Sequence, residues 1–251
     1  MMLSNFQLPI ADGKSPRAYL GGTVAGATAA GAAASVVATG AGGPGAATGS
    51  LLVHLHVFMK QRAFQTLLEA GLPGVTATAV SRIADFERAL EDAPDAVLTL
   101  PIVLSAKGLP LSLRGAMGGS TEERYALLGS GGPPDPVQVA SVGALDVLGR
   151  DGTNRFVRSF VNAGAHVERV TKLEDLLPLL QMQRVEAVLL PARLIPELRA
   201  ASRLPLAESV LAATVGLPAV ANTGANGSSV LAAISKMPKD LSRLLGVDEW
   251  R

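Results

Sequence analysis

An α/β chain folded as two βαβαβ lobes joined by crossing strands is what this sequence predicts, and three observations carry the prediction. Short apolar, β-branched runs alternate with helical stretches twice over, and each pass spans roughly fifty residues. Strand-like segments outside both passes remain to connect them. Before either pass the 251 residues open on a stretch of quite different composition.

That stretch, SPRAYLGGTVAGATAAGAAASVVATG from Ser15 to Gly40, holds no acidic residue and is nearly all Gly, Ala, Ser, Thr and Val. A buried methylene contributes only about 0.8 kcal/mol, and glycine inside a helix costs about 1 kcal/mol against alanine. The segment is therefore a poor core element. Lys14 and Arg17 give it a positive flank, Ala18 to Ala38 a mildly apolar run, and Ala32, Ala34 and Ala38 the small residues a signal peptidase needs. Ser15-Pro16-Arg17-Ala18-Tyr19-Leu20 resembles the twin-arginine export signal S-R-R-x-F-L, with Pro16 in place of the first arginine. Residues 1–50 thus read as a signal peptide and low-complexity linker, cleaved on export; a disordered linker alone is the alternative.

The first lobe, 51–113, begins with LLVHLHVFM, a buried strand. KQRAFQTLLEAGLPG follows as a helix with Phe64, Leu67 and Leu68 on one side, stopped by Gly71 and Pro73. VTATAV is a strand; Ser81 then stands as N-cap of a helix whose Ile83, Phe86 and Leu90 share a face. DAVLTLP closes the pass. A crossing segment, 114–136, contains the strand RYALLGS and a Gly/Pro-rich connector. The second lobe, 137–205, repeats the grammar: VQVASVG as strand, TNRFVRSFVNAG as helix, HVERV as short strand, TKLEDLLPLLQMQ as a helix opened by a Thr171–Glu174 capping box, and EAVLLP as strand. Residues 206–251 supply a return strand and C-terminal helices packing on the first lobe.

Composition narrows the function. Apolar residues make up 48% of the chain, enough for a core, and the net charge of +1 with no basic run argues against a nucleic-acid surface. Cysteine is absent, which removes disulfides, thiol catalysis and a lipid-anchored cysteine. The histidines His54, His56 and His166 lack zinc-site spacing, so no metal is expected. There is no G-x-S-x-G elbow, no P-loop and no G-x-G-x-x-G in a strand-to-helix context, and Asp151 and Glu174 stand isolated. The expectation is a non-enzyme without cofactor. His54 and His56 alternate with apolar neighbours and face one side of the first strand, either hydrogen-bonded under a helix or lining a cleft or metal site.

Ligands of open α/β sheets sit beyond the carboxyl ends of the strands. In the first lobe that rule selects Lys60, Gln61 and Arg62, then Ser81 and Arg82, then Thr99, Pro101 and Ser105. In the second it selects Ser141, the loop Gly149-Arg150-Asp151-Gly152-Thr153-Asn154, Thr171, and Pro191 with Arg193. Gly152 would admit a close backbone approach and Thr153 and Asn154 would offer donors beside a helix start that favours an anion; the same residues also make an ordinary turn and N-cap. Arg150, Arg193, Arg62 and Lys60 are either anion ligands or surface charges. Aromatic candidates for a ligand wall reduce to Phe58, Tyr125 and Trp250, which points to a small polar or anionic ligand.

The stretches DAVLTLP, VQVASVGALDVLGRDGTNRFV, VTKLEDLLPLLQMQRVEAVLLPARLIPEL and GLPAVAN resemble the type II periplasmic substrate-binding proteins, most of all the phosphate/phosphonate-type binding components of ABC importers, across Leu51 to Pro238. The resemblance implies an exported monomer in the periplasm that captures a small oxyanion or organic acid by hinge closure and delivers it to an ABC permease. It implies that Thr153 and Asn154 stand where that family's Ser/Thr-rich helix start grips the oxyanion. A sensory or interaction module with a degenerate or signalling cleft is the alternative.

Overall fold

The computed structural model describes residues 49–251, so the expected export signal lies almost wholly outside the described residues. The first pass is β1 (Gly49–His54), α1 (Gln61–Gly71), β2 (Val75–Ala79), α2 (Ile83–Glu91) and β3 (Ala96–Thr99), continued by α3 (Pro101–Ala106) and β4 (Leu111–Ala116). Every residue of β3, and all but Ser50 of β1, is buried, as expected for parallel strands covered by helices on both faces. Edge strand β2 alternates buried and exposed positions.

The second pass follows β5 (Glu122–Ser130). It comprises β6 (Ser141–Leu145), α4 (Gly149–Arg158), β7 (His166–Val170), a 3-10 turn Leu173–Asp175 running into α5 (Leu176–Gln181), and β8 (Ala187–Pro191). A 3-10 turn Ala192–Leu194 leads to α6 (Ile195–Ala201), after which come β9 (Leu206–Gly216), β10 (Ala219–Asn222), α7 (Gly227–Ser235), α8 (Lys239–Leu244) and β11 (Glu249–Trp250).

Two sheets result, in the orders β11-β4-β10-β3-β1-β2 and β7-β6-β8-β5-β9. The parallel trios β3-β1-β2 and β8-β6-β7 share one order, and each is continued by an antiparallel strand, β10 beside β3 and β5 beside β8. Both lobes therefore reverse direction between their first and third parallel strands. A crevice opens at such a switch point because the flanking helices lie on opposite faces. The core of each lobe is apolar, with Leu51, Leu98 and Phe86 fully buried in one and Leu127, Leu176 and Leu190 in the other.

The chain crosses between lobes at 117–121 and at 217–218. Gly118 (φ 56°) and Gly119 (φ 82°) let the first crossing turn in a conformation that L side chains avoid, closed by the Met117–Ser120 bridge. The Leu217 N–H donates to the Thr121 carbonyl at 2.9 Å and the Gly115 N–H to that of Pro218 at 2.8 Å, so the two crossings run side by side.

Several expectations shift. Strand β5 is a full member of the second sheet, paired with β8 and β9, so 114–136 is a crossing only at its start; β9, taken as part of the return to the first lobe, also belongs to the second sheet. Ser81 is not an N-cap: α2 begins after Arg82, and no side chain caps it. Nor does the Thr171–Glu174 capping box form, because Leu173–Asp175 adopts a 3-10 turn preceded by an extended Lys172. Among the described residues no helix is long and apolar enough to cross a membrane.

Candidate functional site

The carboxyl ends of β1 and β3 face those of β6 and β8 across a small space of about 40 Å³. His54, His56 and Thr99 contribute from the first lobe, and Leu145, Pro191 and Arg193 from the second, with Glu123 and Tyr125 of β5 below. Beside it, sharing Leu55 and His56 as a common wall, lies a groove of about 460 Å³. The groove is formed by Lys60, Gln61 and Ser81 of the first lobe and Thr171, Lys172 and Glu174 of the second. Only the groove falls within the 300–1,000 Å³ usual for small-molecule sites.

The groove's polar residues are positioned by local chemistry. The Gln61 side chain donates its Nε2–H to the Ala79 carbonyl, tying the start of α1 to the end of β2. Its Oε1 accepts a long, weak hydrogen bond from the Ser81 hydroxyl at 3.5 Å. Because neither Ser81 nor Thr171 serves as a cap, both hydroxyls are left at the groove wall.

In the cavity, Thr99 is fully buried and its hydroxyl donates to the His54 carbonyl at 2.8 Å, fastening β3 to β1. The His54 ring stacks on Phe86 (centroids 5.0 Å apart) and meets the His56 ring edge-on at 5.4 Å. Neither nitrogen of His54, nor Nε2 of His56, makes a hydrogen bond of good geometry, although all three are buried; the Ser81 backbone lies toward both rings. Burial pushes His54 down to about 3, helped by the neighbouring His56 and Lys107 and opposed by the Ser81 backbone, and pushes His56 down to about 4 against the opposing pull of the Ser81 backbone and Asp146. Both rings are therefore neutral near pH 7. Arg193 donates through Nε to Glu123 Oε2 at 2.9 Å, whereas Glu123 Oε1 is buried without a partner. Burial raises the Glu123 carboxyl, with Arg193 opposing, and burial followed by the Glu123 charge raises the Tyr125 hydroxyl. Tyr125 stacks on Phe160 and meets Phe156 edge-on, which fixes the aromatic floor.

The structure brings together Lys60, Ser81, Thr99 and Arg193 of the residues selected from sequence. Ser141 opens β6 at its amino end, the wrong end for the cleft, where its hydroxyl accepts the Glu186 N–H. Arg62, Ser105 and Arg150 are exposed and line neither space. Gly152 lies inside α4 with Leu148 Cβ only 2.6 Å from where its own Cβ would stand, so this glycine serves helix packing and not ligand approach. Thr153 is fully buried; its hydroxyl donates to Asp146 Oδ1 at 2.9 Å and accepts the Leu148 N–H at 3.0 Å, while Arg169 pairs with Asp146 Oδ2 at 2.8 Å. Asn154 is half-buried and lines neither space. The helix start abuts the other lobe instead, with Ile83 Cγ2 3.8 Å from a Cβ built on Gly149. Replacing Thr153 by valine removes both bonds and orphans the Leu148 N–H, an expected loss of about 1–3 kcal/mol in urea unfolding.

Of the two roles the sequence left open for the histidine pair, hydrogen-bonded under a helix or lining a cleft, the structure places both rings at the cavity; Glu123 was missed. A signal existed for the pair, two histidines two apart at a strand end, but nothing local marks Glu123 as inward-facing. Among the described residues no cluster of three His, Cys, Asp or Glu side chains could hold a metal.

No protein-family model matches this chain, and no curated protein matches it. Solved structures do. An amino acid ABC transporter substrate-binding protein AbpA from Streptococcus pneumoniae, bound to L-arginine, superimposes with a TM-score of 0.53 at 11% identity, covering 78% of this chain and 92% of that one. The GluR0 ligand-binding core in complex with L-glutamate gives 0.51 at 14%, covering 79% and 96%. The Bordetella pertussis BvgS periplasmic VFT2 domain gives 0.51 at 13%, covering 78% and 91%. The fold of this chain is thus the two-lobed periplasmic binding protein fold.

Proposed function

We propose that this chain is an exported solute-binding protein that closes its lobes on a small organic acid and presents it to the permease of an ABC-type importer, with the segment around Ser15–Gly40 as its export signal. One observation carries the reading: the groove is a ligand-sized space walled by polar side chains of both lobes, so a bound molecule bridges them and favours the closed state. Lys60 and Lys172, one from each lobe, are the cations available to an acid head group, and Ser81 and Thr171 the hydroxyl donors. Glu174 and Asp175 on the same wall disfavour a multiply charged oxyanion such as phosphate. The solved neighbours bound to L-arginine and L-glutamate belong to the same chemical range.

Thermal unfolding of the full chain with L-amino acids, mono- and dicarboxylates, phosphate and methylphosphonate tests the proposal. A ligand at a hundred times its Kd adds about 2.7 kcal/mol, so a carboxylate-bearing compound is expected to raise Tm by several degrees and Lys60→Ala to abolish the rise. No shift with any compound, or a shift with phosphate alone, would overturn it.

A further inference from the structure

Three residues lining one small space carry buried polar atoms that make no hydrogen bond of good geometry, His54 Nδ1 and Nε2, His56 Nε2 and Glu123 Oε1, the two rings having only the Ser81 backbone toward them. Buried polar groups in folded proteins are almost always hydrogen-bonded, so four such atoms around a single cavity call for an occupant. A water occupies about 10–15 Å³ on this volume measure, which gives the cavity of about 40 Å³ room for a group of roughly three non-hydrogen atoms. His56 and Leu55 wall both this cavity and the groove, so a molecule seated in the groove has the cavity directly behind it.

The chemistry of the walls selects the occupant. Glu123, which lines the cavity, holds Arg193 through Oε2 alone and leaves Oε1 buried without a partner. An entering carboxylate or phosphate would meet that oxygen with like charge, unfavourable where water is excluded. A donor group satisfies it. Each imidazole, uncharged here, also presents an unprotonated nitrogen that accepts. Lys107 lies toward His54 and Asp146 toward His56, while Arg193, which lines the same cavity, is held in its pair with Glu123. The remaining walls, Tyr125, Phe156 and Val103, are apolar or aromatic and suit a short hydrocarbon stem or a cation over a ring face.

We propose that this cavity is an inner recognition chamber for a primary amine, with Glu123 Oε1 and the imidazole nitrogens of His54 and His56 as its acceptors. Resting on the organic-acid reading above, this makes the ligand an acid that also carries an amine on a short stem, held carboxylate outward by the lysines and amine inward. Bulky or planar cations such as guanidinium exceed the chamber.

The chamber is testable apart from the groove. Methylammonium chloride, small enough to enter alone, is titrated into the full chain while the imidazole nitrogens of His54 and His56 are followed by long-range proton–nitrogen NMR, with sodium acetate and guanidinium chloride at matched ionic strength as controls. The expected result is a saturable shift of both rings with methylammonium only, reduced at least tenfold in apparent affinity by Glu123→Gln. Should Glu123→Gln fail to fold, the wild-type comparison among the three salts decides. Unmoved rings, or equal shifts with acetate, would overturn the chamber even if amino acids bind the protein. A methylammonium response without binding of any carboxylate-bearing compound would support the chamber and overturn the organic-acid groove.

Discussion

Acidification from pH 7 to pH 4.5 is expected to remove about 2–3 kcal/mol of folding stability through His54 alone. The ring titrates at its ordinary 6.5 in the unfolded chain and near 3 in the fold, so between those values the unfolded chain binds a proton that the native state refuses. Stability is therefore complete above pH 6.5 and falls by about 1.4 kcal/mol for each unit below it until the folded value is reached. His56 acts in the same direction with a smaller share, since the Ser81 backbone and Asp146 oppose the effect of its burial. Against a total stability of about 5–15 kcal/mol this is a large fraction. Urea midpoints at pH 7, 6, 5 and 4.5 measure it. His54→Gln keeps a neutral polar group and cannot titrate, so its profile should be shallower by about 1.4 kcal/mol per unit below pH 6.5. Parallel profiles for the two proteins would refute this account.

Removal of the Arg193 side chain is expected to destabilise the protein by about 2–4 kcal/mol. The pair it forms with Glu123 is three-quarters shielded on the arginine side and nearly fully on the glutamate side. Truncation leaves a buried carboxylate whose second oxygen already lacks a partner, the situation in which breaking an ion pair costs most. Packing adds to this, because the guanidinium lies against the first lobe at Gly246: its Nε is 2.5 Å from where a Cβ on that residue would stand. The double variant Arg193→Met with Glu123→Gln should recover most of the loss, since an apolar stem and a neutral amide replace the stranded charge. Chemical denaturation of the two single variants and the double gives the coupling directly. A loss under 0.5 kcal/mol in Arg193→Ala would show that the pair is solvated and structurally idle.

Much of the architecture was legible because periodicity reports local burial. The buried runs of β1, β3 and β8 and the alternation of β2 follow from how many faces each strand hides. Sheet membership was less legible. Residues 122–130 and 206–216 read as connectors in sequence, but pairing between them and with β8 is a long-range choice that no local window encodes. The same limit governed the site. Serine and threonine at a strand end carry one signature whether they cap a helix, brace a loop or face a ligand. Ser81 and Thr171 read both as caps and as strand-end ligands, and face the groove; Thr153 and Gly152 read as an anion grip or an ordinary turn, and are internal fittings of α4. Lys60, Thr99 and Arg193 were recoverable because strand-end position alone brings them to the cleft.

The central place of β10 has a further effect. Its four residues lie between β3 and β4, yet they are encoded at 219–222, more than a hundred residues after either neighbour. During synthesis the ribosome releases every other component of that layer except β11 long before its middle is available. The nascent amino-terminal half therefore lacks the strand that joins β3 to β4 until residues 219–222 have been made, while the 122–216 lobe is encoded as one contiguous piece.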